Sequence, residues 1–558
     1  MNIHIKRTIG EKETDEQIIA HLIKDRGIKD VVSFLAPRHP TEIALGSFFE
    51  DKKTFQKNWT KFIILLKKIK KDSAMIVVYM DYDADGITGG AVMWETLHKL
   101  GFKVMPFVPD RKLEGYGFSE KGIDRVRKEF NPALIISIDH GIVAHEKITY
   151  AKKLGIQIVV TDHHQKKKTE PEDALLVFHT DKLSGSGVAY FVAKEIYNSL
   201  KKSDDKLLDL SFQFTNDYLS LASIGTIADL VPLVNESRSV AKYGLEAFSK
   251  TKKAGLREIL VEARLDNKKI STYDVGYIIA PRINVFGRLE HGLEALRLLC
   301  TGSPKQAHEL ASRGGKINKN RQDIVETSVQ QAIEQVDSSS KIIIVYSDQW
   351  EEGVIGLIAS KLMNLYYRPV IVMTQSDGFV KGSARSVSGI NITAFLRDLQ
   401  NLLIDVGGHA AAAGFSIAAA QVDEFTKKAQ QKAQKEIKKA LLVKKIHADV
   451  ALPLKKVSLN LAKKILSLEP FGIGNPTPTF LSQGIIQDIV SVGKDGSHIK
   501  LLLRDEDIFL ELIYFRGAEE AKKLKRGAAV KILYNLQVDE WNGKEKVKGI
   551  VKYAIIVT

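Results

Sequence analysis

The segment AMIVVYMDYDADGIT, Ala74–Thr88, joins a short apolar run to three aspartates and a glycine. The apolar run is rich in β-branched residues, which is typical of a strand buried on both faces of a parallel sheet. Two similar units follow, ALIISIDHG at Ala133–Gly141 and IQIVVTDHH at Ile156–His164, and further strands are expected at Lys103–Pro109 and Ala174–Phe178. Helix-favouring stretches separate these runs. The pattern predicts an α/β fold in which helices cover both faces of a parallel sheet.

The polar ends of these strands are expected to converge, because ligands of an open parallel sheet bind beyond the carboxyl ends of its strands. The clustered carboxylates would repel one another if they stayed ionised without a counter-charge. Divalent cations remove that repulsion; carboxylates with imidazoles suit manganese, and carboxylates alone also suit magnesium. Loop-capping aspartates are the simpler alternative. The chain has three acidic clusters after three strands, and the third contains two adjacent histidines. This number favours a two-metal site, which activates a water and stabilises a leaving oxygen.

The bulk composition limits the class of protein. The chain has 558 residues, 44% of them hydrophobic and 27% charged, with a net charge of +15. A basic surplus suits a polyanion such as nucleic acid, although a general bias toward lysine explains it equally well. Cys300 is the only cysteine, which excludes disulfides within the chain and zinc clusters built on thiolates. With neither a signal-peptide pattern nor a membrane-spanning apolar run, we expect a cytoplasmic protein that does not enter the membrane.

The remainder of the chain predicts further folding units. Gln306–Val336 is polar and free of proline, and it predicts a helical connector. A second α/β segment begins at Lys341 and ends in the glycine-rich run Gly407–Phe415. From about Lys444, short strands alternate with turns, which predicts a small all-β module resembling an OB barrel.

Four segments, DYDADGIT, SIDHG, TDHH and ASIGTIADLVPL, resemble in order the motifs of the DHH phosphoesterase superfamily. Later segments narrow the resemblance to the RecJ single-strand-specific exonucleases, and they are APRINVFGRLEH (Ala280–His291), EGVIGLIASKL (Glu352–Leu362), RPVIVM (Arg368–Met373), KGSARS (Lys381–Ser386), GGHAAAAGF (Gly407–Phe415) and EPFGIGNPTPTF (Glu469–Phe480). The resemblance covers nearly the whole chain. It implies a parallel-sheet DHH catalytic domain (1–305), a long helical connector (306–337), a smaller α/β DHH-associated substrate-binding domain (338–440) and an OB-fold nucleic-acid-binding domain (441–558).

The same resemblance implies a 5′→3′ exonuclease that degrades single-stranded DNA to mononucleotides in DNA repair and recombination, with two Mn²⁺ or Mg²⁺ ions. The implied partners are single-stranded DNA, a single-strand-binding protein and a recombination helicase. The positions that match the metal ligands of the family are Asp83, Asp85, Asp139, His163 and Asp229, with Asp139 as the bridging carboxylate. His164 is implied to contact the scissile phosphate or to assist proton transfer. Asp81 is expected either to support a ligand or to start the turn.

Substrate contacts are expected where polar groups accompany the motifs, and the residues concerned are Arg111, Tyr116, Arg282, Asn284, Arg288, Ser383, Arg385, Gly407, Gly408 and His409. An arginine binds phosphate through two parallel hydrogen bonds, an aromatic ring stacks on a base, and glycines let backbone amides approach phosphate. A surface arginine and a core tyrosine are the alternatives for Arg111 and Tyr116. In the β module, charge and stacking surfaces are expected from Lys500, Arg504, Lys531, Tyr534 and Trp541.

The sequence departs from the family pattern at His140, at Val285–Phe286 and at Glu351, none of which matches a metal ligand. Two alternative functions remain open at this point. One is a DHH nano-RNase or cyclic-dinucleotide phosphodiesterase, and the other is a non-catalytic DHH-fold replication scaffold.

Overall fold

The structure, a computed structural model, describes residues 3–557 except 11, 112, 167, 203, 205, 377, 494 and 542, together with all side chains in this range but that of Trp541. These residues form two compact units. The first contains Met1–Pro281, Ala295–Ala307 and Ile446–Thr558, and the second contains Arg282–Glu294 and His308–Lys445. The C-terminal segment therefore belongs to the same unit as the parallel sheet, and the domain boundaries expected from the sequence stay a prediction.

The first unit begins with one strand and three helices, β1 (Ile3–Thr8), α1 (Asp15–Lys24), α2 (Val31–Leu35) and α3 (Lys52–Lys71). A parallel sheet follows, made of β2 (Ile76–Met80), β3 (Val104–Phe107), β4 (Leu134–Ile138), β5 (Gln157–Asp162) and β6 (Leu176–His179). Its strand order is β3-β2-β4-β5-β6. The interleaved helices are α4 (Ala84–Lys99), α5 (Glu120–Phe130), α6 (His145–Lys153) and α7 (Gly185–Lys201). All five strands predicted from the sequence are confirmed.

Helices continue this unit as α8 (Tyr218–Ala228), α9 (Asn235–Ala247), α10 (Ala254–Glu262), α11 (Thr272–Asp274), α12 (Ala280–Leu289) and α13 (Leu293–Cys300). From Arg282 onward α12 belongs to the second unit. Every residue of α8 except the last, Ala228, is buried, and this helix packs against α4, α7 and α9. The body of α8 therefore has a fixed position in the core, and the helix reaches the surface at Asp229. Among the described residues, no helix combines the length and the apolar composition that crossing a membrane requires.

The second unit is α/β. It contains α14 (Pro304–Glu334), β7 (Ile343–Tyr346), α15 (Ile355–Tyr366), β8 (Val370–Ser376), β9 (Phe379–Arg385), α16 (Ile392–Arg397), β10 (Asp405–His409), β11 (Ala412–Ile417) and α17 (Val422–Glu436), the first residues of α14 lying in the first unit. Its sheet has the order β10-β11-β9-β8-β7. The long helix α14 confirms the helix predicted at Gln306–Val336.

The C-terminal module consists of β12 (Ile446–Ala451), α18 (Leu459–Leu466), β13 (Phe480–Val492), β14 (His498–Asp505), β15 (Ile508–Tyr514), α19 (Ala518–Ala521), β16 (Ala529–Trp541) and β17 (Lys544–Ile556). Strands β13-β14-β15-β17-β16 form a closed barrel because β13 also pairs with β16. The predicted OB-like barrel is confirmed. At its edge β1 pairs in parallel with β12, so the first strand of the chain completes the sheet of the last module.

One expected stacking residue of the barrel is wrong. Tyr534 is fully buried, and its hydroxyl lies 2.8 Å from the Ser482 Oγ, so its ring packs in the barrel and cannot meet a base. The side chain of Trp541 lies outside the described residues. Phe509, which the sequence did not single out, is 53% exposed and stands opposite Arg504 in the β14–β15 pair. The barrel therefore presents an aromatic ring beside a cation, but the ring is that of Phe509 and not that of Tyr534.

A buried arginine joins three parts of the first unit. Arg238 of α9 has no exposed surface, and its guanidinium lies 3.8 Å from the centroid of the Phe34 ring. The guanidinium donates hydrogen bonds to the backbone carbonyls of Phe34, Glu469 and Pro470, at 2.6, 2.7 and 3.2 Å. Burial lowers the pKa of Arg238 to about 10, so the group stays charged at neutral pH.

The backbone carbonyls of the segment from Phe34 to Ile43 accept hydrogen bonds from side chains of α7 and α9. Lys194 of α7 is buried, and its Nζ donates to the carbonyls of Pro40 (2.8 Å), Thr41 (3.2 Å) and Ile43 (2.5 Å). Side chains of α9 donate to other carbonyls of the segment, Lys242 to Leu35, Tyr243 to Pro37 and Ser239 to Arg38. Side chains of α7 and α9 therefore hold the backbone of this N-terminal segment against the helices of the first unit.

We expect Arg238→Met to lower the free energy of unfolding by about 3 kcal/mol or more, since three carbonyls lose their donor at about 1–3 kcal/mol each. The midpoint of urea unfolding measures the change. Arg257→Met, at an exposed position of α10, is the control and should leave the midpoint unchanged. Equal midpoints for the two variants would contradict the role assigned to the buried guanidinium.

Candidate metal centre and active site

The first ligand-bearing turn follows β2 and starts α4. Asp83 caps this helix, because its Oδ1 accepts hydrogen bonds from the backbone amides of Asp85 (2.9 Å) and Gly86 (3.1 Å). This local capping brings Asp83 and Asp85 together at the carboxyl edge of the sheet.

The carboxylate of Asp85 is fixed by the N-terminus of another helix. Its Oδ2 accepts from the amide of Gly185 at 2.7 Å and its Oδ1 from the amide of Ser186 at 2.9 Å, both in the first turn of α7. A helix N-terminus offers backbone amides to a carboxylate, so the first turn of α7 orients the buried side chain of Asp85. This support was not predicted from the sequence, in which the run Ser184-Gly185-Ser186-Gly187 is the available signal.

Two glycines leave the space that the acidic cluster occupies. A Cβ on Gly185 would lie 2.3 Å from the Oδ1 of Asp139, and a Cβ on Gly225 would lie 2.1 Å from the Oδ1 of Asp85. Both distances are below any real contact. The cluster therefore depends on backbone that carries no side chain.

Asp139 lies at the centre of the cluster. It follows β4 directly, with a left-handed backbone (φ 67°) that turns the chain sharply, and its amide donates to the carbonyl of Thr161 at 3.0 Å. Its Oδ1 is buried and has no hydrogen-bond partner among the described residues. Burial, followed by the charges of Asp85 and Asp83, raises the pKa of Asp139 well above its usual range. Such an oxygen requires a cation or a proton.

His163 connects the three strand ends to α8. Its Nε2 lies 3.2 Å from Asp139 Oδ1, 3.3 Å from Asp229 Oδ2 and 3.8 Å from Asp85 Oδ2. Burial lowers the pKa of His163, which favours the neutral imidazole that binds metal. Asp229, at the carboxyl end of α8, has its pKa raised to about 8 by burial and by Asp85.

The six side chains predicted as catalytic are brought together by the fold. Three overlapping groups have possible ligand atoms within 4.8 Å of one another: Asp139, His163 and His164; Asp85, His163 and Asp229; and Asp81, Asp83 and Asp139. Three of their atoms, Asp81 Oδ1, Asp139 Oδ1 and His163 Nε2, are buried without hydrogen-bond partners among the described residues. Oxygen and imidazole donors with this deficit fit a divalent cation such as Mn²⁺.

His164 is oriented by the aspartate that precedes the histidine pair. Asp162 accepts hydrogen bonds from the Nδ1 of His164 at 2.8 Å and from the amide of Ile142 at 2.9 Å. Although burial opposes it, the contact with Asp162 raises the pKa of His164 to about 9. The carboxylate of Asp162 therefore stabilises the protonated imidazolium of His164 and fixes the direction of its ring.

Tyr116 and Arg111 border this cluster. The Tyr116 hydroxyl donates to the carbonyl of Asp139 at 3.2 Å and lies 3.2 Å from His164 Nε2, while its side chain is half exposed. The Arg111 guanidinium lies 5.3 Å from the centroid of the Tyr82 ring, one residue before Asp83. Both expected substrate residues of this loop are therefore adjacent to the acidic turn, and Tyr116 is not a core tyrosine.

The departures from the family pattern have structural explanations in two cases. His140 is buried against Phe118 and Tyr79, and its Nε2 donates to the Tyr79 carbonyl at 3.1 Å. Burial lowers the pKa of His140 to about 4, so it is a neutral core residue. Val285 and Phe286 are fully buried in α12. Glu351 is exposed, and nothing in the structure explains its identity.

The remaining predicted substrate residues lie in the second unit. Arg282, Asn284 and Arg288 are partly buried on α12. The register of the sheet aligns Gly407 with Ser383 and His409 with Arg385, each pair separated by one residue of β11. The Nη1 of Arg385 donates to Ser383 Oγ at 3.1 Å, and burial lowers the pKa of Arg385. The motifs KGSARS and GGHAAAAGF are thus neighbours in one sheet.

Three family models match the chain. They are the DHH family N-terminal domain at residues 75–226, the DHHA1 domain at 339–435 and the RecJ OB domain at 448–553. The single-stranded-DNA-specific exonuclease RecJ of Bacillus subtilis (strain 168) is 32% identical over 505 residues, which are 88% of this chain and 62% of the relative. The chain thus spans about three fifths of that relative's length.

Solved structures agree with these matches. RecJ from Thermus thermophilus in complex with Mn²⁺ has a TM-score of 0.81 and 26% identity, over 99% of this chain and 79% of that chain. A crystal structure of exonuclease RecJ bound to manganese is 32% identical with a TM-score of 0.59, over 67% of this chain and 93% of that chain. The order of the three domain types, the identity to these relatives and the common fold lead to one conclusion: the chain belongs to the RecJ family.

Proposed function

We propose that the chain is a two-metal-dependent 5′→3′ exonuclease that degrades single-stranded DNA to mononucleotides. The observation that carries this proposal is the position of Asp139, whose carboxylate belongs to two of the three overlapping groups of possible ligands. A carboxylate shared in this way suits two neighbouring divalent cations. The ligands we assign are Asp83, Asp85, Asp139, His163 and Asp229, and the ions are Mn²⁺ or Mg²⁺.

Bound ions would supply an activated water and stabilisation for the charge that develops on the scissile phosphate. The protein contributes carboxylates that are oriented by backbone amides before the ions bind. The amides of α7 hold Asp85, the cap of α4 holds Asp83, and the turn at Asp139 places its carboxylate between them. Preorganisation of this kind removes the reorganisation cost of the reaction.

His164 is assigned to the scissile phosphate. Its Nδ1 is engaged by Asp162, which leaves Nε2 on the side of Tyr116 to donate to a phosphate oxygen or to the leaving oxygen. The exposed face of the Tyr116 ring is suited to stack on a terminal base. Arg111 is assigned to a phosphate one nucleotide away from the scissile one.

The presence of the barrel module is an argument for a polymeric substrate and against a dinucleotide. Arg504 and Phe509 offer a cation and an exposed ring next to each other, which is the combination that binds single strands independently of sequence. We further propose a role in DNA repair and recombination in the cytoplasm, with a single-strand-binding protein and a recombination helicase as partners. The family resemblance supports these assignments.

A single assay tests the proposal. Single strands labelled at the 5′ or 3′ end are digested in Mn²⁺, beside a duplex, a dinucleotide and an EDTA control. We expect mononucleotides released from the 5′ end of single strands only. Release from the 3′ end would refute the polarity. Hydrolysis restricted to the dinucleotide would favour a nano-RNase, and no hydrolysis of any substrate would favour a scaffold.

Asp139→Asn is expected to reduce nuclease activity by about 10³-fold or more, because a bound ion supplies several kcal/mol of transition-state stabilisation. In EDTA the variant should unfold at the same temperature as the parent protein or higher, since the amide removes repulsion from a buried carboxylate whose pKa is raised. The increase in melting temperature caused by Mn²⁺ should disappear. Asp124→Asn, at an exposed position of α5, is the control. Near-parental activity of Asp139→Asn would rule out this cluster as the catalytic centre.

Arg111→Ala is expected to slow digestion of 5′-phosphorylated single strands by about 10- to 100-fold, because a charge-assisted hydrogen bond contributes about 1.5–3 kcal/mol. Strands with a 5′ hydroxyl should be affected much less. Initial rates on the two substrates measure the difference, and Arg127→Ala on the exposed side of α5 provides the control. Equal losses on both substrates would show that Arg111 does not read the 5′ phosphate.

A further inference from the structure

We propose that the loop Glu469–Asn475 of the C-terminal module is a positioning element for Asp229, and that Gly472 and Leu233 form the contact through which it acts. The inference rests on the proposed function, because it takes Asp229 as a metal ligand. It concerns how that ligand is held in place by a module separated from it by more than two hundred residues of sequence.

Asp229 has less support from its own domain than the other carboxylates. It stands where α8 ends, and its amide donates to the carbonyl of Gly225 at 2.9 Å. Its side chain is 32% exposed, against 1% for Asp85 and 4% for Asp139. The next residue, Leu230, has a left-handed backbone (φ 59°) and is 67% exposed. The backbone that follows Asp229 is therefore exposed at Leu230, and it is next fixed by contacts at Leu233.

The loop of the C-terminal module is what holds it. The amide of Leu233 donates to the carbonyl of Ile473 at 2.7 Å. A Cβ added to Gly472 would lie 2.7 Å from the Cδ1 of Leu233, whose side chain is buried. A Cβ added to Gly474 would lie 3.2 Å from Val234 and 3.3 Å from Pro232. The loop thus touches three consecutive residues that begin three positions after Asp229.

The loop is itself rigid. Asn475 has no exposed surface, and its Nδ2 donates to the carbonyls of Leu468 (2.7 Å) and Pro470 (3.0 Å). The Nε of Arg26 donates to the Asn475 Oδ1 at 3.0 Å. Arg238 binds the carbonyls of Glu469 and Pro470 from the other side. A displacement at Gly472 must therefore be absorbed by Leu233 and the short segment leading back to Asp229.

Supports behind a metal ligand commonly contribute 10- to 100-fold to metal affinity. We expect Gly472→Ala to weaken Mn²⁺ binding about tenfold, because the new methyl group pushes Leu233 and with it the backbone of this segment. The φ of Gly472 is not in the left-handed region, so the substitution adds a contact without backbone strain.

The experiment measures Mn²⁺ affinity by titration calorimetry on the full chain, together with the Mn²⁺ concentration that gives half-maximal nuclease activity. The variants are Gly472→Ala, Leu233→Ala, the double variant and Asp229→Asn. Leu233→Ala vacates the space that the methyl group needs, so the double variant should bind Mn²⁺ more tightly than Gly472→Ala. Gly549→Ala is the control, since its Cβ would crowd Leu512 and Tyr534 in the barrel of the same C-terminal module without touching residues 229–234.

The proposal requires that Gly472→Ala raise the Mn²⁺ requirement, that high Mn²⁺ restore its activity, and that Gly549→Ala keep parental affinity. Parental affinity in Gly472→Ala, with reduced affinity in Asp229→Asn, would overturn it and leave the proposed function intact. Parental affinity in Asp229→Asn would overturn the ligand assignment itself. Equal weakening by Gly549→Ala would show general destabilisation instead. If Gly472→Ala does not fold, Leu233→Ala decides alone, with weakened Mn²⁺ binding expected and parental binding contradicting the proposal.

Discussion

Several carboxylates face one another at the carboxyl edge of the parallel sheet. The fold of the first unit must offset the repulsion between them. Asp81, Asp83, Asp85 and Asp139 approach one another in buried surroundings, where unscreened charges interact strongly. The fold meets this cost with helix N-termini, with capping amides and with glycines that leave room for the carboxylates. It also leaves several ligand atoms without hydrogen-bond partners among the described residues, so a cation or a proton is needed to balance the charge.

Hydrogen bonds between buried charged side chains and the backbone also occur away from the acidic cluster. Arg238 and Lys194 are buried cations whose hydrogen bonds go to carbonyl oxygens. Each gathers several carbonyls from segments distant in sequence, which fixes those segments more firmly than apolar contact alone. The C-terminal module is consequently joined to the helices of the parallel-sheet domain through its loop Glu469–Asn475.

The sequence predicted the parallel sheet, the long helix α14, the barrel and the convergence of the six catalytic candidates, because strand periodicity and the order of motifs are local signals. It did not reveal the supports. The contact of Gly185 with Asp85 joins residues a hundred positions apart, and the contact of Leu233 with Ile473 spans an even longer interval. Tyr534 was misjudged for a related reason: alternation along a strand does not tell which face of a barrel is interior until the strands have paired.

The pairing of β1 with β12 has a consequence for biosynthesis. Lys6 and Asp449, joined by a 2.8 Å ion pair across these strands, are 443 positions apart. At the usual 5–20 residues per second, the first strand would wait about 20–90 seconds on the ribosome before its partner exists. During that interval the carbonyls of residues 34–43 can already bind α7 and α9, whereas β1 remains an unpaired edge. The order of synthesis therefore leaves β1 without its partner strand until β12 has emerged, long after the rest of the N-terminal segment can be bound.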